Sequence, residues 1–269
     1  MIRPRFVRLL VVAALATALV ACSASEDQAA PSETPTPGPS ERFQTPRTLD
    51  SYRFTISVRA DGKILDQSEA PAGLGLTNEP VVIDIEGRWL SPDREYSSVT
   101  FSFGVLRSDQ EKVCIGERIW TRVEGGAWRE QEPLTDPENL IGQDVPLTPD
   151  SLFGRDDPDI LTRLTADLNA RPHTLELVDG RQTKHWSLDE EWFDAYVDEF
   201  VEVLAGIPRD QGLTLEIDLW SDVETGVGTR LHVVGSFPGQ PRILELDLRM
   251  FDINDPEIEV EEPIGAIPR

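Results

Sequence analysis

The sequence predicts an α+β domain in which one antiparallel sheet carries two helices inserted between its early and late strands. Three observations predict it. Apolar and polar residues alternate strictly in several short runs, as in Tyr52, Phe54, Ile56 and Val58 against Arg53, Thr55, Ser57 and Arg59. Period two marks a strand with one buried and one wet face. Turn pairs such as Asp61-Gly62, Gly125-Gly126 and Asp179-Gly180 punctuate those runs. Two stretches in the second half instead repeat at helical spacing.

The elements follow in order. After the first strand, a Gly-rich stretch leads to VVIDIEGRWL, a second strand. SPDRE turns the chain into YSSVTFSFGVL, which sets Val99, Phe101, Phe103 and Val105 on one side. KVCIGERIWTRVEGGAWRE reads as one strand, a Gly-Gly turn and a return. Residues 130–150 are acidic and hold four prolines, so a loop is expected. Asp157 then caps a helix that opens with Pro158 and Asp159 and presents Ile160, Leu161, Leu164 and Leu168 on one face. Pro172 marks its end. A hairpin about Asp179-Gly180 follows. Ser187 and Glu190 have capping-box spacing ahead of a second helix. Its apolar stripe runs Trp192, Phe193, Tyr196, Val197, Phe200, Val201 and Leu204, and Gly206 and Pro208 close it. LTLEIDLW, TRLHVVGSF and RILELDLRMF complete nine or ten strands; in the last, Leu244, Leu246 and Leu248 alternate with Glu245, Asp247 and Arg249.

The first 21 residues have a different logic. Arg3, Arg5 and Arg8 precede an uncharged run from Leu9 to Ala21, the layout of a secretory signal. That run is too short to span a bilayer, which takes about 20 residues. Leu19-Val20-Ala21-Cys22 resembles the lipobox of bacterial lipoproteins. The resemblance implies cleavage before Cys22 and acylation of its thiol, and two or more acyl chains give a lasting anchor. Residues 22–48, rich in Pro, Ser and Thr, read as a tether that would reach at most about 80 Å. The folded domain is expected over 49–263, with a tail at 264–269.

The chain carries 25 basic and 49 acidic residues, a formal net charge of −24. Cleavage removes three arginines and no acid, which moves the charge to −27. Such a surface repels phosphate, so nucleic acid is excluded as a natural partner. It also opposes flat docking on anionic lipid. With Cys22 acylated, Cys114 is left without an intramolecular partner and reads as a buried, inert thiol. No catalytic arrangement is legible: no G-x-S-x-G, no H-E-x-x-H, no phosphate loop. His173, His185 and His232 lack metal-ligand spacing. FDINDPEIEVEE has the flavour of a calcium-binding linker at Asp252, Asn254 and Asp255, but its companion motifs are missing, and strand-end acids are the preferred reading. No metal, cofactor or enzymatic activity is expected.

The order of the lipobox, the tether, SYRFTISV, IEGRWLSPDR, IWTRVEGGAW, LTPDSLF…ILTRL, IDLWSDVETGVGTRL and DLRMFDINDPEIEVEEP resembles the LppX/LprG lipoproteins of mycobacteria, and more distantly the LolA/LolB carriers. The resemblance implies an α+β fold: a strongly curved antiparallel sheet, an unclosed β-barrel of about nine to eleven strands whose concave face is covered by two or more helices. It also implies an apolar cavity between sheet and helices. Tyr52, Phe54, Ile56, Val58, Phe101 and Phe103 would line it from the sheet, and Trp192, Phe193, Tyr196 and Phe200 from the helix. The expected function is a lipid-anchored, monomeric envelope protein on the extracytoplasmic side that binds and transfers acyl lipids or lipoproteins. The alternative is a non-enzymatic envelope sensor or protein-binding module on the same scaffold.

Overall fold

The computed structural model describes residues 41–61, 79–131, 149, 158–196 and 212–268. Eleven strands form one antiparallel sheet: β1 (Ser51–Ala60), β2 (Val81–Leu90), β3 (Arg94–Phe103), β4 (Leu106–Ile115), β5 (Arg118–Val123), β6 (Arg129–Gln131), β7 (Thr174–Val178), β8 (Arg181–Leu188), β9 (Thr214–Asp222), β10 (Gly228–Phe237) and β11 (Gln240–Phe251). Their spatial order is β6-β5-β4-β3-β2-β1-β11-β10-β9-β8-β7, so the sheet does not close on itself. Among the described residues two α-helices are delimited, one between β6 and β7 and one between β8 and β9 in sequence: α1 (Pro158–Ala170) and α2 (Glu190–Tyr196). Among the described residues no helix is long and apolar enough to cross a membrane.

The sheet is two meanders joined edge to edge. β1 to β6 run consecutively, and so do β7 to β11. They meet at β1 and β11, which pair from Arg53↔Phe251 to Ala60↔Leu244. The alternation sets the register: Phe54 lies opposite Met250, Ile56 opposite Leu248 and Val58 opposite Leu246, all on one face. A slip of one residue would turn each of these toward water.

The strand count exceeds nine or ten because KVCIGERIWTRV is not one strand. Gly116, at φ 58°, turns the chain after Ile115, and β4 starts six residues earlier than Lys112, at Leu106. The Asp179-Gly180 turn is as expected: both residues have positive φ, 50° and 79°, the conformation a two-residue hairpin wants.

Helix α1 starts at Pro158 as its sequence predicts and buries Leu164 and Leu168. The second helix is capped differently from expectation. Ser187 belongs to β8 and donates its hydroxyl to Asp218 Oδ1 at 2.8 Å. The cap is Asp189, whose Oδ1 accepts from the Trp192 backbone N–H at 2.9 Å. The capping-box reading failed because the strand runs through Leu188, so the helix can begin only after it. That backbone bond, aided by Arg171, holds the Asp189 carboxyl below the ordinary aspartate range. The helical stripe beyond Tyr196 lies outside the described residues.

Both ends of the described chain pack onto the sheet. Phe43 and Thr45, inside the segment read as tether, are buried, and Gln44 forms a parallel bridge with Val227. After β11, Asn254 Oδ1 accepts from the Asp50 N–H at 2.8 Å, its own N–H donates to Ser51 O at 2.7 Å, and Ser51 Oγ donates to Asp255 O at 2.8 Å. The residues weighed as calcium ligands thus fasten the C-terminal segment to the start of β1. That segment lies over the β3–β5 back face, where Val260 packs with Val113 and Trp120, and Ile267 bridges Arg129.

Gly87 sits where Phe54 crosses to β2. A Cβ there would strike the Phe54 ring and approach Tyr96 O to 2.7 Å. Gly87→Ala is therefore expected to destabilise the fold by roughly 1–3 kcal/mol through overpacking, read as a lowered urea midpoint at unchanged slope. Asp189→Ala should remove the cap and cost about 1 kcal/mol, seen as a drop in thermal midpoint at pH 7 that shrinks under acid conditions, because the carboxylate's contribution is present above its unfolded pKa and lost as pH falls through the lower folded value.

Candidate functional site

The inward face of the sheet is apolar from β8 to β2. Leu219, Leu231, Leu248, Ile56 and Ile85 follow one another across five strands in register. Leu164 and Leu168 of α1 and Trp192 of α2 join the same cluster. Trp186 Nε1 donates to Leu168 O at 2.9 Å, a buried bond that ties α1 to β8. Phe43 N donates to Thr165 Oγ1 at 3.1 Å on the helix's other side. Helix α2 lies against β9.

This face gathers most of the residues proposed to line a cavity. Tyr52, Phe54, Ile56, Phe103 and Trp192 are buried in one cluster, and Val58, Phe101 and Tyr196 pack against it half-buried. Tyr52 and Phe54 stand at 6.1 Å between ring centroids, Trp192 and Tyr196 at 5.4 Å. The Phe193 side chain, Phe200 and Cys22 lie outside what is described. Burial is not uniform. Trp89, Val99, Phe101, Leu161 and Leu215 are half-buried members of the cluster, so the apolar surface is not wholly consumed by its own packing.

Toward β3–β5 the same face becomes polar while staying buried. Lys112 is 1% exposed, and its Nζ lies 3.6 Å from Glu95 Oε1, whose side chain is 13% exposed. Ser97 and Thr121, the register partners of Lys112 on either side, are buried too. Burial pushes the Lys112 ammonium below the ordinary lysine range, and the Glu95 charge opposes that only in part. Sequence reading missed this pair. The signal was there: Lys112 stands at an inward position two residues before Cys114, in a strand whose outward neighbour is Val113. Cys114 is wholly buried as expected, but it is disulfide-bonded and not a free thiol, which corrects the inert-thiol reading.

The opposite face of β7–β11 carries a polar network. His185 Nδ1 lies 2.7 Å from Glu176 Oε1 and Nε2 lies 2.9 Å from Asp218 Oδ1. The imidazole stacks on Trp220, 4.2 Å between centroids at 6°, and the Arg230 guanidinium stands 4.7 Å from the same indole. Trp220 Nε1 donates to Glu176 Oε2 at 3.0 Å. The Trp220 and His185 bonds hold the Glu176 carboxyl below the usual glutamate range. Arg230 and Arg249 both reach Asp247. Both ring nitrogens of His185 are engaged, and the Ser187 hydroxyl turns to Asp218 rather than to the imidazole, so this is a cross-strand clamp and not a nucleophile–base pair. Among the described residues no group of three or more His, Cys, Asp or Glu side chains stands together as a metal site.

Fold and face together define an α+β protein with one unclosed antiparallel sheet whose inward face is apolar at its centre and polar toward one end. No protein-family model matches the chain, and no curated protein matches it.

Asp222 closes the network at the β9–β10 turn. Burial pushes its carboxyl up, but the Arg181 guanidinium and the Thr225 N–H and hydroxyl outweigh it, and the folded pKa lies below the ordinary aspartate value. The unfolded chain therefore binds more protons than the folded one over this range, and the contribution fades as pH falls below about 4. Asp222→Asn should lower stability at pH 7 and flatten its decline between neutral and strongly acid pH, measured by urea denaturation across a pH series.

Proposed function

We propose that this chain is an envelope lipoprotein, anchored through acylated Cys22 on the extracytoplasmic side of a membrane, that binds and transfers acyl lipids or lipidated ligands without catalysis. In this reading the sheet curves about an apolar hollow roofed by the helices. The observation that carries it is the inward face itself: a continuous aromatic and aliphatic surface joined to both helices, with Val58, Trp89, Val99, Phe101 and Tyr196 left half-buried. Such side chains suit an alkyl chain, because burying hydrocarbon gains about 0.8 kcal/mol per methylene. A chain of ordinary length would gain roughly 10 kcal/mol relative to water, which offsets what it loses on leaving a bilayer. The anchor rests on the lipobox and the tether.

The two cysteines make the anchor sharply testable. A thioether-linked lipid on Cys22 and a bond from Cys22 to Cys114 are mutually exclusive within one chain. Acylation of Cys22 therefore requires that the mature protein lack the Cys114 disulfide described above: its intact mass should show a diacylglyceryl addition and one alkylatable thiol, and a mass lower by two hydrogens with no lipid would overturn the anchor. Native mass spectrometry of the unlipidated chain should show co-purified lipid, and a fluorescent fatty acid should bind. An empty protein that refuses the fatty acid would favour the sensor reading.

A further inference from the structure

Among the described residues, and besides Trp192 Nε1 of α2, three polar atoms on the inward face are buried without a hydrogen-bond partner: Trp89 Nε1, Glu95 Oε1 and Lys112 Nζ. Their residues stand on adjacent strands. Trp89 and Glu95 are register partners across β2 and β3. Glu95 and Lys112 approach to 3.6 Å, an ion pair too long for a good hydrogen bond. Buried polar groups in native folds are almost always satisfied, so each such group calls for an occupant or an explanation. Ordinary core packing supplies none here, since Ser97 and Thr121 flank Lys112 where apolar residues would pack better. The half-buried Val99 and Phe101 continue the same face along β3 from Glu95. A buried polar cluster, termed the notch, thus adjoins the surface assigned to hydrocarbon.

The chemistry of the notch selects its occupant. The indole N–H and the ammonium both need an acceptor. The carboxylate needs a donor. The ammonium and carboxylate cancel in charge, so an added anion would meet Glu95 at close range and an added cation would meet Lys112. A group that is uncharged and both donates and accepts satisfies all three, and a hydroxyl is the simplest. We propose that Trp89, Glu95 and Lys112 form a head-group site that receives an uncharged hydroxyl-bearing end of an acyl ligand lying on the apolar face. The proposal rests on the acyl-binding reading of that face.

The test uses the mature chain carrying Cys22→Ser, which alters no described residue and leaves Cys114 a free thiol in wild type and variants alike, and an apolar fluorescent dye displaced by either of two probes. Dioleoylglycerol carries a free hydroxyl; methyl oleate carries none. Lys112→Met should weaken dioleoylglycerol binding by about tenfold, the loss of one hydrogen bond to a charged group, and leave methyl oleate unchanged. Trp89→Phe, closer in shape, should weaken dioleoylglycerol by a smaller factor and identifies the Trp89 indole resonance by its absence. In the wild type that N–H resonance should shift downfield with dioleoylglycerol and stay in place with methyl oleate, a readout that survives should Lys112→Met fail to fold. An unmoved resonance, or equal dioleoylglycerol affinity in wild type and variants, would show that the notch holds only water and would overturn the site while leaving acyl binding intact. A wild type that takes up neither dye nor lipid would overturn both.

Discussion

The β1–β11 ladder is the constraint on which the rest of the structure depends. Among the described strands it is the one pairing that joins the two meanders, and it joins residues nearly the whole domain apart in sequence. Closing so long a loop costs entropy before any contact rewards it. The reward is concentrated there: Phe54, Ile56, Leu246 and Leu248 are among the most deeply buried side chains. Asn254 and Ser51 then lock the ladder's open end through side-chain bonds to the backbone. Without this pairing each meander would keep half an apolar face and an unpaired strand at its edge.

The inward face changes character along the sheet, and this gives the molecule its polarity. Its centre is aliphatic and aromatic, and its β3–β5 flank is buried yet polar. The outer face does the reverse. It is wet over β7–β11, where arginines and carboxylates interlock with His185 and Trp220. Over β3–β5 it turns apolar beneath the C-terminal segment, with Arg118 and Arg122 stacked on Trp120 and Trp128. Several of the chain's cations thus serve as paired clamps on the sheet.

The sheet was largely legible because alternation is a local signal. Tyr52 to Val58 and Leu244 to Leu248 declare their faces within a few residues, and the burial follows them. Helix α1 was legible from Pro158 and the spacing of Leu161, Leu164 and Leu168. What failed was punctuation. The Gly116 turn sits inside an apolar run, with no Asn or Asp beside it to announce a hairpin. Ser187 has the spacing of a cap, but tertiary pairing with β9 claims it first. The Glu95–Lys112 pair was invisible for a different reason: no local pattern says that two charges on separate strands will be taken inward together.

An open sheet has two ends, and here they are unequal. At β6 the outward backbone is taken up by the C-terminal segment, as Glu130 N–H donates to Ile267 O at 3.1 Å and Ile267 N–H to Trp128 O at 2.9 Å. At β7 the described chain leaves five residues along the margin, with Leu175 and Leu177 59% and 76% exposed. Filament growth by strand addition needs a donor rim and an acceptor rim on every subunit. A particle with one rim already occupied by its own terminus can dock a single neighbour, twofold, and then stops. Where such molecules crowd together, the segment that fills the β6 rim spares them runaway stacking.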